Sequence, residues 1–208
     1  MIASLPMYDR PETRAAHDRL WALFRSVSGI NTPSAPEHLT RDVVLPDHWI
    51  TPDLVLSQTC SLPYRTELRD KVTLLATPVH GLPCPEGYYY SVIVARTDDP
   101  RTDFTDFGGG TMAFNSANSQ SGWAAPMTMA AQHGVVFGKA QETGAHQASA
   151  RAVFEKTADL AAIDAVTWTL MKRYETWTDG LKELATTPPT PALPYICLLY
   201  TSPSPRDS

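Results

Sequence analysis

Nowhere in the 208 residues do apolar side chains run on for the roughly 18 positions that a membrane-spanning helix needs. Basic clusters are also missing. With 17 Lys+Arg against 22 Asp+Glu the formal charge is −5, which argues against a groove for nucleic acid. Cysteine is scarce: Cys60, Cys84 and Cys197 cannot make a paired disulfide framework and are too far apart for a zinc site. His80 and Cys84 form an H-x3-C pair without further ligands, so neither a metal nor a cofactor is expected. Glycine is outnumbered by proline, 11 to 18, which speaks against long helices and for short elements joined by stiff loops. What is present is ordinary globular composition, 43% hydrophobic and 19% charged, enough for one large domain or two small lobes around a buried core.

Ile2–Tyr8 reads as a first strand, and no charged leader, long apolar stretch or small-residue cleavage site precedes it. A cytoplasmic location, a late start or a signal already removed are each compatible with that. Pro11 and Glu12 open a helix whose apolar stripe is Ala16, Leu20, Leu23 and Val27, stopped at Ser28-Gly29. A short helix is expected at Glu37–Asp42. Strands follow at Leu54–Leu56, Val72–Ala76, Tyr88–Ala95, Thr111–Phe114, Val135–Phe137 and Leu160–Asp164. Helices fall before His133, at Gln147–Lys156, and along Val166, Leu170, Tyr174 and Trp177.

Strands alternating with helices predict an α/β fold with a largely parallel sheet. The order of elements divides the chain into two lobes. Residues 1–95 with 185–196 form lobe one and 96–184 form lobe two. The last segment, 197–208, changes register abruptly and resembles translated sequencing-adapter read-through; a disordered Pro/Ser tail is the alternative. It is set aside in reading the fold.

Ligands in open α/β sheets sit at the C-terminal ends of strands. The loop Asn115-Ser116-Ala117-Asn118-Ser119-Gln120-Ser121-Gly122-Trp123 packs hydroxyl and amide side chains ahead of a helix. Hydroxyls, free backbone N–H groups and the helix dipole all favour an anionic oxygen there. Gly122 permits close approach of backbone to ligand, and Pro126 fits the first helical turn behind it. Simple N-capping is the competing reading for the serines. His146 at a helix start and Asp164 at a strand end are also explicable as caps. Tyr8, Tyr64, Trp123 and Trp168 are candidate pocket walls or core aromatics.

Three segments in order resemble the phosphonate/phosphite-type substrate-binding proteins of ABC transporters. Ser119-Gln120-Ser121-Gly122-Trp123-Ala124-Ala125-Pro126 is similar to that family's S-x-S-G-aromatic-x-x-P loop. Thr143-Gly144-Ala145-His146-Gln147-Ala148-Ser149 is similar to its T/S-G-(S/A)-H-x-A-(S/A) segment, and Ala158–Asp164 to its A-D-(V/L)-A-A-(V/I)-D strand. The resemblance implies an α/β, two-lobe type II periplasmic-binding-protein fold, here C-terminally truncated, that captures a small oxyanion by hinge closure. It implies no catalysis, a small anionic solute as ligand, an ABC permease as partner and a periplasmic location. By the same resemblance Ser119, Ser121 and Gly122 hold the oxyanion, with Gln120 in place of the usual hydroxyl residue. His146 and Asp164 meet the ligand's other polar groups. Tyr8, Gln58 and Thr59 occupy fitting loops of lobe one, and Asn115 and Trp123 complete the site. Two rivals stand beside this: a cytoplasmic sensor or biosynthetic domain on the same fold, and a serine hydrolase built from Ser121, His146 and Asp164. The hydrolase lacks a G-x-S-x-G elbow and has the wrong order for an α/β-hydrolase.

Overall fold

The computed structural model describes residues 1–28 and 35–198. The expected helix stop at Gly29 and the tail residues 199–208 lie outside them. In chain order the elements of the first half are β1 (Ile2–Ser4), α1 (Arg14–Ser28), β2 (Leu54–Gln58), α2 (Ser61–Pro63), β3 (Val72–Ala76), β4 (Tyr88–Tyr89) and β5 (Ser91–Arg96). Then come β6 (Thr111–Phe114), α3 (Ala125–Gln132), β7 (Lys139–Glu142), α4 (His146–Phe154), β8 (Leu160–Asp164), α5 (Ala165–Tyr174), β9 (Leu181–Thr186), β10 (Thr190–Pro191) and β11 (Tyr195–Leu198).

The chain forms two compact units, Met1–Pro78 with Leu193 onward, and Val79–Ala192. The sequence reading put the crossings later and earlier, at 95/96 and 184/185. The difference lies in β5. It pairs with β8 on one side and β9 on the other, and Val92–Ala95 are buried in the core of the second unit. Tyr90 interrupts the expected Tyr88–Ala95 strand, so β4 pairs with β10 instead. The stretches 79–95 and 185–192 therefore belong to the second unit.

In the first unit the sheet order is β1-β2-β11-β3. All five residues of β2 are buried, which suits a central strand covered on both faces. β1 runs parallel to β2, while β11 runs antiparallel to both of its neighbours. Cys197 and Leu198 continue β11, opposite Thr73 and Val72 of β3. α1 buries a different face from the expected stripe. Trp21 is inside, with Leu20 and Phe24 packed on the same cluster of Ala3, Leu5, Leu39, Val55 and Leu56, whereas Leu23 and Val27 are exposed. The indole has the most apolar area to bury, and its N–H finds the Pro36 carbonyl at 3.1 Å, so it decides the rotation of the helix. No helix forms at Glu37–Asp42. The Thr40 N–H goes to the Ala3 carbonyl of β1 at 2.7 Å, and a 3₁₀ turn appears later, at Asp47–Ile50.

The second unit's sheet has the order β7-β6-β8-β5-β9. β6 is parallel to β7 and β8, and β5 is antiparallel to β8 and β9. Both sheets are thus mixed rather than largely parallel. β5 and β11 are each the first long strand after the chain crosses between units. Neither is delivered by a helical crossover, so nothing obliges it to run parallel. Along β5 and β8 successive residues point to opposite faces. Val92, Val94, Ala161 and Ile163 pack with Val153, Trp168 and Met171 of α4 and α5. Ile93, Ala95, Leu160 and Ala162 pack with Phe107, Met129 and Ala130 on the α3 side. In α5 the inward residues are Ala165, Trp168 and Met171, a face rotated from Val166, Leu170 and Tyr174. Val135–Phe137 is not a strand. Val135 sinks into the α3-side core and Phe137 meets Phe104 edge-on at 6.1 Å. One of the sheet's two edge strands is the polar β7, with three of its four residues exposed.

At the end of the sheet where β5 finishes and β6 and β8 begin, Arg101 bridges Asp99 at 2.7 Å and Asp159 at 2.6 Å and lies 4.0 Å over the Phe107 ring. Asp159 also accepts the Thr111 N–H at 2.7 Å. The guanidinium holds the Asp99 carboxyl down at about 2. The loop from Asn115 to Trp123 lies at the opposite end, beyond the C-terminal ends of β6 and β8.

Candidate ligand-binding site

β6 ends in Phe114, and its continuation is stitched to the segment before α4. The Thr143 N–H donates to the Phe114 carbonyl (2.9 Å), and the Gly144 N–H donates to that of Asn115 (3.0 Å). Gly144 has φ of 85°, a backbone conformation that glycine adopts without strain. This stitching brings His146, the first residue of α4, against the loop 25 positions earlier in sequence.

The loop turns into α3 through one π-helical turn, Gln120–Ala124. Ser119 caps it. Its Oγ accepts the Gly122 N–H at 3.0 Å, and its carbonyl accepts the N–H groups of Trp123 (3.2 Å) and Ala124 (3.0 Å). Pro126 follows in the first turn of α3, where its missing N–H costs nothing. Ser121 is buried and is held twice. Its Oγ lies 2.9 Å from His146 Nε2, and its carbonyl accepts the Ser91 hydroxyl at 2.8 Å. As the second residue of the turn it carries one of the N–H groups that a helix start cannot satisfy internally. Gly122 is required by space rather than by φ. A Cβ there would stand 1.8 Å from Asn115 Oδ1 and 3.2 Å from His146 Cε1. Trp123 stacks at a tilt on Phe114, ring centroids 4.4 Å apart.

Burial of the imidazole pulls the His146 pKa down to about 4, with the Ala162 backbone of β8 acting weakly in the other direction. His146 is therefore neutral at pH 7. The assembled group of Asn115, Ser119, Ser121, Gly122 and His146 has no formal charge. What it offers a ligand is hydroxyl and N–H dipoles and the head of the turn.

Asp164 ends β8 at the same end of the sheet, opposite Ser91 in the strand register. Asp164 caps α5: its Oδ1 accepts the N–H groups of Val166 (2.8 Å) and Thr167 (2.9 Å). Replacing Asp164 by Ala should lower stability by about 1 kcal/mol through loss of the cap, read by thermal unfolding. Asp164→Asn keeps a capping oxygen, so a fall in ligand affinity in that variant alone would separate a binding role from the cap. Tyr8, Gln58 and Thr59 are buried in the first unit. Gln58 Nε2 donates to the Leu193 carbonyl at 3.2 Å, and the Thr59 N–H donates to that of Pro194 at 3.1 Å. Both contacts hold β2 and its exit loop to the start of β11. Gln120 is buried in the turn beside Ser121.

Ser91 was not singled out from sequence. Its one signal is a hydroxyl residue in the otherwise apolar alternation of Tyr89, Ile93 and Ala95, where a buried polar group must find a partner.

Two α/β units, one with a polar, uncharged loop at its strand ends, have the fold of the solute-binding proteins. The family model of the phosphonate-binding, periplasmic substrate-binding proteins of ABC transporters matches residues 54–203, and the chain belongs to that family. Its members bind solutes for transport and are not enzymes. No curated protein sequence matches the chain. Among solved structures, PhnD1 from Prochlorococcus marinus in complex with methylphosphonate is 17% identical, with a TM-score of 0.75 over 95% of this chain and 76% of that one. A binding component of a phosphonate ABC transporter from Pseudomonas aeruginosa is 15% identical, with a TM-score of 0.71 over 94% of this chain and 68% of that one. XAC2383 from Xanthomonas citri bound to ATP is 14% identical, with a TM-score of 0.66 over 98% and 78%. The shared fold is the two-lobe type II arrangement of periplasmic binding proteins.

Proposed function

We propose that this chain captures a small phosphonate-like oxyanion on the Ser119–Gly122 turn, by closure of its two units, and delivers it unaltered to an ABC permease. The observation that supports the reading is the peptide Ser121–Gly122. Its carbonyl is held by Ser91 and its N–H by Ser119, and Asn115 and His146 press against Gly122, so the turn is set before any ligand arrives. Preorganised dipoles bind an anion without the cost of ordering the loop. Tyr8, Gln58 and Thr59 would meet the solute from the first unit on closure, and His146 and Asp164 would face its remaining polar groups.

The Ser121–His146 pair also favours binding over hydrolysis. No carboxylate is among the groups that shift the imidazole, and Asp164 Oδ1 caps α5. A histidine with a pKa of about 4 is a weak base for activating a hydroxyl at pH 7. Titration calorimetry with methylphosphonate, phosphite and phosphate tests the proposal. Ser121→Ala is expected to weaken the tightest of the three by about 10-fold or more, the loss of one hydrogen bond to a charged group. Unchanged affinity would remove the turn from the site. Neighbouring permease and ATPase genes would favour transport over a sensor or biosynthetic role on the same fold.

A further inference from the structure

Ser91 and Thr187 sit at the ends of β5 and β9 that lead toward the two places where the chain passes between units, and both are buried. They exchange two hydrogen bonds: the Ser91 N–H donates to Thr187 Oγ1 at 3.0 Å, and the Thr187 N–H donates to the Ser91 carbonyl at 2.9 Å. The Ser91 side chain takes no part in that pairing. It donates instead, at 2.8 Å, to the Ser121 carbonyl, 30 positions away in sequence. A buried hydroxyl at the start of a strand could have bonded its own strand ends, as Ser and Thr commonly do. This one reaches across to the turn.

The consequence is geometric. A peptide plane is rigid, so fixing its carbonyl and its N–H fixes its orientation. The Ser121–Gly122 plane is gripped at the carbonyl by Ser91 and at the N–H by Ser119. That leaves the Ser121 side chain only the choice of rotamer, and His146 Nε2 at 2.9 Å selects it. Without Ser91, the buried Ser121 carbonyl loses this donor, and the peptide, then held only at the Gly122 N–H, can turn about ψ of Ser121, which shifts that N–H relative to the Ser121 Oγ.

We propose that Ser91 is a positioning residue for the oxyanion-holding turn, tying the orientation of Ser121 to the strand pair β5–β9 of the second unit's sheet. This rests on the oxyanion reading above. It separates two jobs within one buried group: Thr187 joins the strand ends, and Ser91 aims the turn.

The test compares three variants of the full chain, with methylphosphonate and inorganic phosphate as probes in titration calorimetry and thermal unfolding run in parallel. Thr187→Val removes the acceptor for the Ser91 N–H and leaves the bond to Ser121 untouched. It is expected to lower the melting temperature and leave affinity within about two-fold of wild type. Ser91→Ala is expected to weaken binding by about 10-fold, and Ser91→Thr, which keeps the hydroxyl, to restore most of it. If Ser91→Ala and Thr187→Val both lower stability and neither changes affinity, Ser91 is structural only and the inference is overturned. If the wild type binds neither probe, the oxyanion reading itself falls, and the role of Ser91 falls with it.

Discussion

Gly122→Ala is expected to abolish measurable methylphosphonate binding and to lower stability by about 1–3 kcal/mol, the range for overpacking a filled site. The new methyl group would stand 1.8 Å from Asn115 Oδ1, far inside van der Waals contact, so Asn115 must move. The amide can turn about its side-chain torsions, but His146 Cε1 at 3.2 Å closes the other side of the methyl group, so the backbone is pushed as well. The Asn115 carbonyl accepts the Gly144 N–H, and the next hydrogen bond in that seam joins Phe114 to Thr143. A shift of Asn115 is therefore passed to the residues that set His146, and His146 holds Ser121. Calorimetry and thermal unfolding of the single variant check both parts. The double variant Gly122→Ala/Asn115→Gly removes the closest clash and should recover much of the lost stability. Near-wild-type affinity in Gly122→Ala would mean that the solute binds elsewhere.

The same residues show how far the sequence could be read. β3, β6 and β8 have the bounds that their short apolar runs predict: β6 and β8 are covered on both faces and need only apolar residues between breakers, while β3 is an edge strand whose Leu74 and Leu75 stay exposed. The helices were placed, but their faces were not. In α1 and α5 the apolar stripe has the right spacing, yet a tryptophan beside it turns inward in each case, Trp21 one position from Leu20 and Trp168 two from Leu170. Periodicity finds a helix; the largest side chain on it sets the rotation. β7 escaped because an edge strand of Lys139, Ala140, Gln141 and Glu142 has no apolar alternation to detect. The unit boundaries escaped because β5 reads as a strand whichever sheet it joins. For the candidate site, motif spacing was enough to select Asn115, Ser119–Trp123 and His146, which the fold brings together. It could not say which oxygen of Asp164 would be spent on a helix cap, nor that Ser91 would reach the turn. The cap is local, and capping is already one of the two readings of Asp164; the Ser91 contact depends on long-range packing that leaves no local pattern.

Acid should unfold this protein in two separate windows, and the first belongs to the candidate site. His146 has its pKa lowered from 6.5 to about 4 in the folded chain. Between those values the unfolded chain binds the proton and the folded one does not, so stability falls as pH drops from about 6.5 to 4 and levels off below. The full shift corresponds to about 3 kcal/mol. Burial lowers the pKa of His48 and His80 as well, so they add to the same window with the same sign. Asp99 governs the second window. Its pKa is depressed from 3.8 to about 2 by Arg101, so its contribution is complete above about 4 and disappears as pH falls toward 2, a loss of about 2 kcal/mol. Urea unfolding followed by tryptophan fluorescence across pH 2–8 would resolve the two. In His146→Gln the slope between pH 4 and 6.5 should shrink while the drop below pH 4 persists. In Asp99→Asn the reverse is expected, on a lower baseline, because Arg101 then keeps only Asp159 as a carboxylate partner. An unchanged upper slope in His146→Gln would show that the imidazole is accessible to protons in the folded protein, and the neutral, dipole-built character of the turn would have to be given up.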